Sequence, residues 1–513
     1  MTAGSPPAET APAAGAAEWE QLVAQIRELF DLYHMASLLG WDREVSMSLQ
    51  GADARARQMA TLRVIRHERL TDARLEDLMA SLAEQELDRP RREMLRLLRR
   101  DRDRALRLPA DFVRRLGLAE ARGAVAWRIA REEGDFALLQ PALEEVIAAK
   151  REEADLVGLD GERYDSLLDQ YEPGMRVARL EPLLRSLRDE LVGLFGAIMD
   201  APQIEPQPFE GRLFPDQAQW DLTMRLLADV GFDLTAGRQD RSAHPFTQSL
   251  ALHDVRVTTR IDERFPLSGI YATLHEAGHG MYEQGFDPQY EDTPLAEAPS
   301  LGLHESQSRM WENIVGRSLA FWERYAPVME EMFGDAAAGS GAEQFYRACN
   351  RVEPSLIRVE ADEITYNLHI LIRFELELAL LRDELEVADL PAAWNDAYAE
   401  TLGIRPENDV LGVMQDIHWP SGSIGYFPTY TLGNLYSGML WGAYEAADPE
   451  WESHIRRGEF DHLLGWLREQ VHWPGSMEEG EDLVRRVTGS RLDHGPLMRY
   501  LRGKFEPLYG LAD

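Results

Sequence analysis

A single cysteine, Cys349, stands in 513 residues. It excludes an intrachain disulfide and any zinc site built on several thiolates of one chain, and it suits a reducing compartment. Cations are scarce, with Lys+Arg 54 against Asp+Glu 89 and a formal net charge of −35. A field of that sign repels phosphate backbones and anionic lipid, so neither nucleic acid nor a membrane surface is an expected partner. Its simplest consequence is a solvated acidic surface. The sequence has no apolar run of the roughly 18 residues that a transmembrane helix needs. Met1 to Ala17 lack the cationic start and apolar core of a secretory signal. Residues 1–17 read as a disordered Ala/Pro-rich tail with nothing to bury, and the cytoplasm is the expected address.

What is present supports a packed, helical protein. Hydrophobic residues make up 44% and charged residues 28%, which predicts a core rather than disorder. Leu22, Ile26, Leu29, Phe30 and Tyr33 recur at helical spacing, and the same period returns around 52–85, 89–107, 111–133, 136–157 and 176–199. It resumes at 267–285, 300–333, 341–382 and 391–403, and again over 450–510. Between about 202 and 265 the texture changes, and Asp254 to Arg260 alternates polar and apolar residues with β-branching, the best strand candidate. A Gly/aromatic segment, Gly422 to Gly433, precedes a helical run to about 445. No Ser/Gly linker divides the chain, so 18–513 is expected to be one mainly α domain with a small β element near its centre.

The chemistry concentrates at His275-Glu276-Ala277-Gly278-His279. Two histidines four apart on a helix lie one turn apart on one face and can share a metal. Glu276 between them can reach a metal-activated water without ligating, as a general base. Two incidental histidines would satisfy the same pattern, so a third ligand matters. Glu305 stands 26 positions after His279, a distance that suits a loop and a return helix facing the first. Two His and one Glu leave a fourth position open, the arrangement of a catalytic zinc site. His304 points about 100° away from Glu305 on a helix and is expected as a neighbour rather than the ligand.

Beyond this motif the sequence resembles the M32 family of metallocarboxypeptidases. The marks come in order: His244-Pro245-Phe246, Asp254-x-Arg256-x-Thr258, the HEAGH run, His304-Glu305-Ser306-Gln307, Ile357-Arg358-Val359-Glu360-Ala361-Asp362, and Gly412 to Trp419. Leu39-Gly40-Trp41-Asp42 and the tail from Val487 to Lys504 are similar as well. Ile261 and Ser48-Leu49 depart from the pattern without touching the expected chemistry. The resemblance implies release of single C-terminal residues from peptides with broad specificity. It also implies a large, two-lobed helical fold with a deep central groove and a small β-sheet near the active site, similar to neurolysin and angiotensin-converting enzyme. One zinc ion per subunit, with cobalt as the other metal, and a homodimer are further implications. On that reading residues 18–513 are a single M32 catalytic domain.

The resemblance also suggests roles. Reading a terminal carboxylate calls for a cation whose planar fork binds it bidentately, and Arg358 is the candidate; an i,i+4 pair with Asp362 is the plainer reading. His418 and Tyr430 resemble the His and Tyr pair that steadies the oxyanion in related enzymes. Tyr426 competes with Tyr430, and all of these aromatics could instead fix a turn. Asp254–Arg260 is a candidate edge strand for an extended peptide, with His244 and Arg256 shaping the substrate site or simply pairing with acids. Gln307 and Asp416 are expected to orient a ligand histidine, and His472-Trp473-Pro474 reads as a turn. Two other functions fit less of the sequence. One is an endopeptidase or dipeptidyl-carboxypeptidase on the same scaffold, the other a non-enzymatic helical binding protein.

Overall fold

The computed structural model describes residues 14–511. The expected tail therefore lies outside the described residues as far as residue 13, and Ala14–Ala17 already belong to the first helix. Cα packing divides the chain into two compact units. The first holds residues up to Leu106 together with Asp287–Glu297, and the second holds Arg107–Phe286 and Ala298–Asp513.

The first unit is built on α1 (Ala14–Val45), α2 (Ala52–Thr71), α3 (Ala73–Ala83) and α4 (Arg89–Arg107). In α3, Leu75, Met79 and Leu82 fall at helical spacing and are buried, and Asp72 caps the helix by accepting from the Arg74 N–H at 2.9 Å.

The second unit carries the candidate site. It begins with α5 (Ala110–Glu133), α6 (Gln140–Val157), α7 (Arg163–Leu168), α8 (Val177–Asp200) and α9 (Asp216–Val230). A three-stranded sheet follows, β1 (Gly237–Arg241), β2 (Thr247–Ala251) and β3 (Asp254–Thr259), in the order β1-β3-β2. β1 runs parallel to β3, with Gly237 opposite Val255; β2 runs antiparallel to it, with Thr247 opposite Val257. β3 is thus the central strand, not the edge strand expected from the sequence. Val255 and Val257 are fully buried, which fits the alternation that marked this segment.

Next come α10 (Pro266–Glu283) and α11 (Leu301–Arg309), then a wide π-helical turn at Met310–Val315. Continuing along the chain are α12 (Leu319–Phe333), α13 (Ala342–Cys349), α14 (Thr365–Leu381), α15 (Leu390–Leu402) and α16 (Pro428–Ala447). α17 (Trp451–Arg457), α18 (Asp461–Leu467), α19 (Gly480–Thr488) and α20 (Gly495–Leu508) close the unit. α10 lies between β3 and α11, and α11 packs in turn on α16.

Two helix expectations are corrected. The run over 341–382 is interrupted from Asn350 to Ile364, because Pro354 disfavours helix at the residue before it and supplies no N–H. Asp362 then starts α14 afresh, accepting from the Ile364 and Thr365 N–H groups at 2.9 and 3.0 Å. The Gly/aromatic segment is only partly a loop: Pro428 occupies the first turn of α16, where a missing N–H costs nothing. Tyr430 therefore stands on a helix. Among the described residues, no helix is long and apolar enough to cross a membrane.

Candidate metal centre and active site

α10 is set by Pro266 in its first turn and by Ile270, Leu274, Ala277 and Met281, buried at helical spacing. That apolar stripe turns His275 and His279 toward α11. The close approach of α11 requires Gly278: a Cβ there would stand 2.6 Å from Gln307 O and from Ser308 Cα. α11 begins at Ser300, whose hydroxyl accepts from the Leu303 N–H at 3.1 Å, and it presents Glu305 to the two histidines. Glu305 Oε2 lies 3.7 Å from His275 Nε2 and 3.4 Å from His279 Nε2. Ligand bonds of about 2.0–2.1 Å at tetrahedral angles put donor atoms roughly 3.3 Å apart, so the trio is spaced to hold a metal ion. The imidazole planes cross at 81°.

A second trio, Asp448, His454 and His462, also has donor atoms within 4.8 Å of one another. Its imidazoles are stacked 3.8 Å apart and only 11° from parallel. Lone pairs lie in the ring plane, so they run side by side there rather than converging, and the first trio is the better-formed centre.

Burial and charged neighbours together set the state of each donor. His275 donates from Nδ1 to Glu312 Oε2 at 2.8 Å. Burial lowers its pKa, but the carboxylates of Glu305 and Glu312 outweigh this and the net shift is upward. His279 is pulled down to about 3, by burial first and His304 second, so it is a neutral imidazole, the form that ligates a metal. Burial pushes Glu305 upward, yet Arg309 and then His275 hold it well below the usual carboxylate range. Arg309 donates to Glu305 at 2.6 Å and to Glu312 at 3.2 Å. Glu276 is buried beside the trio, and Thr247 of β2 donates to its Oε2 at 2.7 Å. Burial raises the Glu276 pKa, although His275 and the Thr247 hydroxyl oppose the shift.

Arg309 links this centre to a second cluster. Its guanidinium lies 4.2 Å from the Tyr366 ring, and the Tyr366 hydroxyl accepts from Arg358 Nη1 at 3.4 Å. Arg358 sits on a short 3-10 turn and pairs with Asp416 at 3.0 Å rather than with Asp362. Asp416 also binds Arg373 at 2.6 Å, so two guanidiniums share one carboxylate and the cluster has a surplus positive charge. Tyr430 lies beneath Arg358, 5.1 Å from ring centroid to guanidinium. Its hydroxyl is 3.5 Å from His418 Nε2. Burial takes His418 down to about 4 against the pull of Asp416, and it lifts Tyr426 to about 12 and Tyr430 well above its ordinary value. At neutral pH all three are uncharged N–H or O–H donors. His418 Nδ1 is buried with no hydrogen-bond partner among the described residues.

The profile of the family described as Carboxypeptidase Taq (M32) metallopeptidase matches residues 21–505. The chain is 43% identical to thermostable carboxypeptidase 1 of Thermus thermophilus over 96% of this chain and 99% of that protein. It is 34% identical to carboxypeptidase 1 of Bacillus subtilis, covering 94% and 98%. It superposes on the M32 carboxypeptidase of Deinococcus radiodurans with a TM-score of 0.94 at 41% identity, over 96% of this chain and 100% of that one.

The chain belongs to the M32 family. It is a metallocarboxypeptidase with the mainly α fold expected, and the family implies a divalent metal ion.

For this M32 enzyme, several sequence expectations find different surroundings. His304 is a neighbour, as expected, and its Nδ1 lies 2.6 Å from His279 Nδ1. Gln307 meets His472 rather than a ligand histidine, with Oε1 3.0 Å from His472 Nε2. His472 itself ends a π-helical turn, and only Trp473-Pro474 form the turn expected there. Asp416 holds Arg358 and Arg373, with His418 Nδ1 3.8 Å away. Arg256 forms a two-point pair with Asp254 at 2.9 Å. His244 is exposed between β1 and β2, where its carbonyl accepts from Ser242 Oγ at 2.7 Å.

Sequence reasoning missed Thr247, Glu283, Arg309 and Glu312. Signals existed for three of them. Glu283 follows His279 by one helical turn, and Arg309 and Glu312 follow Glu305 by one and two turns.

Proposed function

We propose that this M32 enzyme removes single residues from the free C-terminus of peptides, at a zinc ion held by His275, His279 and Glu305. The carrying observation is the convergence of those donors beside buried Glu276. Two imidazoles and one carboxylate with an open position suit zinc, and cobalt takes the same donors. When bound, the ion supplies Lewis acidity, polarising the scissile carbonyl and acidifying a water.

The side chains supply the rest. Arg358 receives the terminal carboxylate, because its pairing with Asp416 leaves Nη1 facing Tyr366 and the cluster retains a surplus positive charge. Glu276 accepts the proton of the attacking water and returns it to the leaving amine, and Thr247 fixes the carboxylate for both transfers. His418 and Tyr430, neutral and adjacent, donate hydrogen bonds to the carbonyl oxygen as charge develops on it. His244 and Arg256 belong to the approach of the peptide, with Arg256 held by Asp254.

Residues 18–513 act as one catalytic domain, a reading supported by a family match that runs through both compact units. The single buried cysteine suits the cytoplasm, and likeness to the family supports a homodimer. A peptide and its C-terminally amidated twin test the direction of cleavage. The free acid should be shortened one residue at a time while the amide is spared; equal cleavage of both would overturn the carboxypeptidase reading in favour of an endopeptidase.

A further inference from the structure

Each imidazole of the metal trio shows its Nε2 to Glu305, so its Nδ1 faces away, and what meets that nitrogen decides where the ring proton sits. For His275 the partner is a carboxylate, Glu312, which can only accept, so the proton lies on Nδ1 and Nε2 keeps its lone pair. Among the described residues, no carboxylate meets His279 on that side. Its Nδ1 faces another imidazole nitrogen, His304 Nδ1, at 2.6 Å. Two such nitrogens share one proton, and the pair alone does not determine which ring owns it.

The next link favours one arrangement. His304 Nε2 lies 2.8 Å from Glu283 Oε1. A carboxylate on that side accepts, so a hydrogen on His304 Nε2 has its partner and Nδ1 is placed to offer a lone pair to His279. With His279 Nε2 taken as the metal-ligating nitrogen, the proton between the rings belongs to His279 Nδ1, and His304 is placed to accept it. Both ends of this chain rest on α10: Glu283 lies one turn beyond His279 on the same helix face. The His279 and His304 rings are 4.6 Å apart and 29° from parallel, and Tyr282 packs against His304 at 5.4 Å between centroids.

We propose that His304 and Glu283 are positioning residues that fix the tautomer and ring orientation of His279, so that Nε2 faces the metal position. The proposal rests on the reading of His275, His279 and Glu305 as the metal centre. The two histidines are then held unequally, His275 by a charged acceptor and His279 by a neutral ring one step removed from its carboxylate.

The test is zinc affinity of the metal-free protein, measured by chelator competition, with the thermal melt of each metal-free variant as a folding control. His304→Ala should weaken zinc about 10–100-fold, the usual cost of losing a group that orients a ligand histidine. His304→Asn should recover most of that loss, because its side-chain oxygen can accept from His279 Nδ1–H. Glu283→Ala should weaken zinc as well, since His304 is then free to carry its proton on Nδ1, whereas Glu283→Gln keeps an acceptor oxygen and should stay nearer wild type. Wild-type affinity in both alanine variants overturns the proposal. So does a His304→Asn variant as weak as His304→Ala, which would mean that ring packing alone matters. A His279→Ala control that still binds zinc like wild type would instead overturn the metal-centre reading itself.

Discussion

At the candidate metal centre the closest helix-backbone approach is at Gly278, between Glu276, the proposed general base, and His279. An added Cβ would meet two backbone atoms of the facing helix, Gln307 O and Ser308 Cα, each at 2.6 Å. Ordinary van der Waals contact begins near 3.4–3.5 Å, so α10 and α11 must part by about 0.8 Å. Backbone cannot swing aside as a side chain can. Overpacking of this kind costs about 1–3 kcal/mol, which reduces the folded-to-unfolded ratio roughly 5- to 150-fold. The damage has a direction as well as a size. His279 follows Gly278 directly and Glu305 lies just ahead of Gln307, so parting the helices opens the 3.4 Å gap between the two donors. Gly278→Ala should therefore lose zinc affinity beyond its loss of stability. Urea melts of the metal-free protein report the first effect, and chelator competition on protein that is still folded reports the second. A variant that melts like wild type and binds zinc like wild type would refute the close approach of α10 to α11.

Other outcomes follow from the same contacts. Arg358→Ala should lower kcat/KM on free-acid peptides by about 10–150-fold, the value of a charge-assisted hydrogen bond of roughly 1.5–3 kcal/mol, with Arg358→Lys intermediate in steady-state assays. Thr247→Val leaves one Glu276 oxygen without its donor and should reduce kcat while zinc affinity is unchanged. Burial lifts Glu377 from 4.5 to about 7, against hydrogen bonds from Tyr164 and Trp419. The unfolded chain ionises this group first, so as pH rises from about 4.5 to 7 the folded state holds the extra proton and its stability falls, levelling off above 7. Glu377→Gln should flatten that slope in denaturant melts across the window.

Much of the chemistry is legible because helix geometry is local. The spacing of His275 and His279 determines their shared face, and one return helix suffices to supply Glu305. What escaped depended on partners distant in sequence. Alternation marks Asp254–Thr259 as a strand and selects its buried face, yet says nothing about which strands flank it, so its central place came only from pairing with β1 and β2. Thr247 reaches Glu276 through that same pairing. Pro354 inside a helical pattern, and Pro428 inside a Gly/aromatic one, are local punctuation whose effect depended on what packs nearby. Arg358 escaped the plain helix-pair reading because Asp416, 58 residues away, holds it instead.

The most direct test separates holding the metal from using it, by measuring bound zinc and peptide hydrolysis together in Glu276→Gln and His275→Ala. Glu276→Gln should keep zinc at the wild-type stoichiometry and lose hydrolysis by at least about 10²-fold, while His275→Ala should lose both. A Glu276→Gln protein that still hydrolyses peptides at the wild-type rate, or a His275→Ala protein that keeps its zinc, would contradict the account.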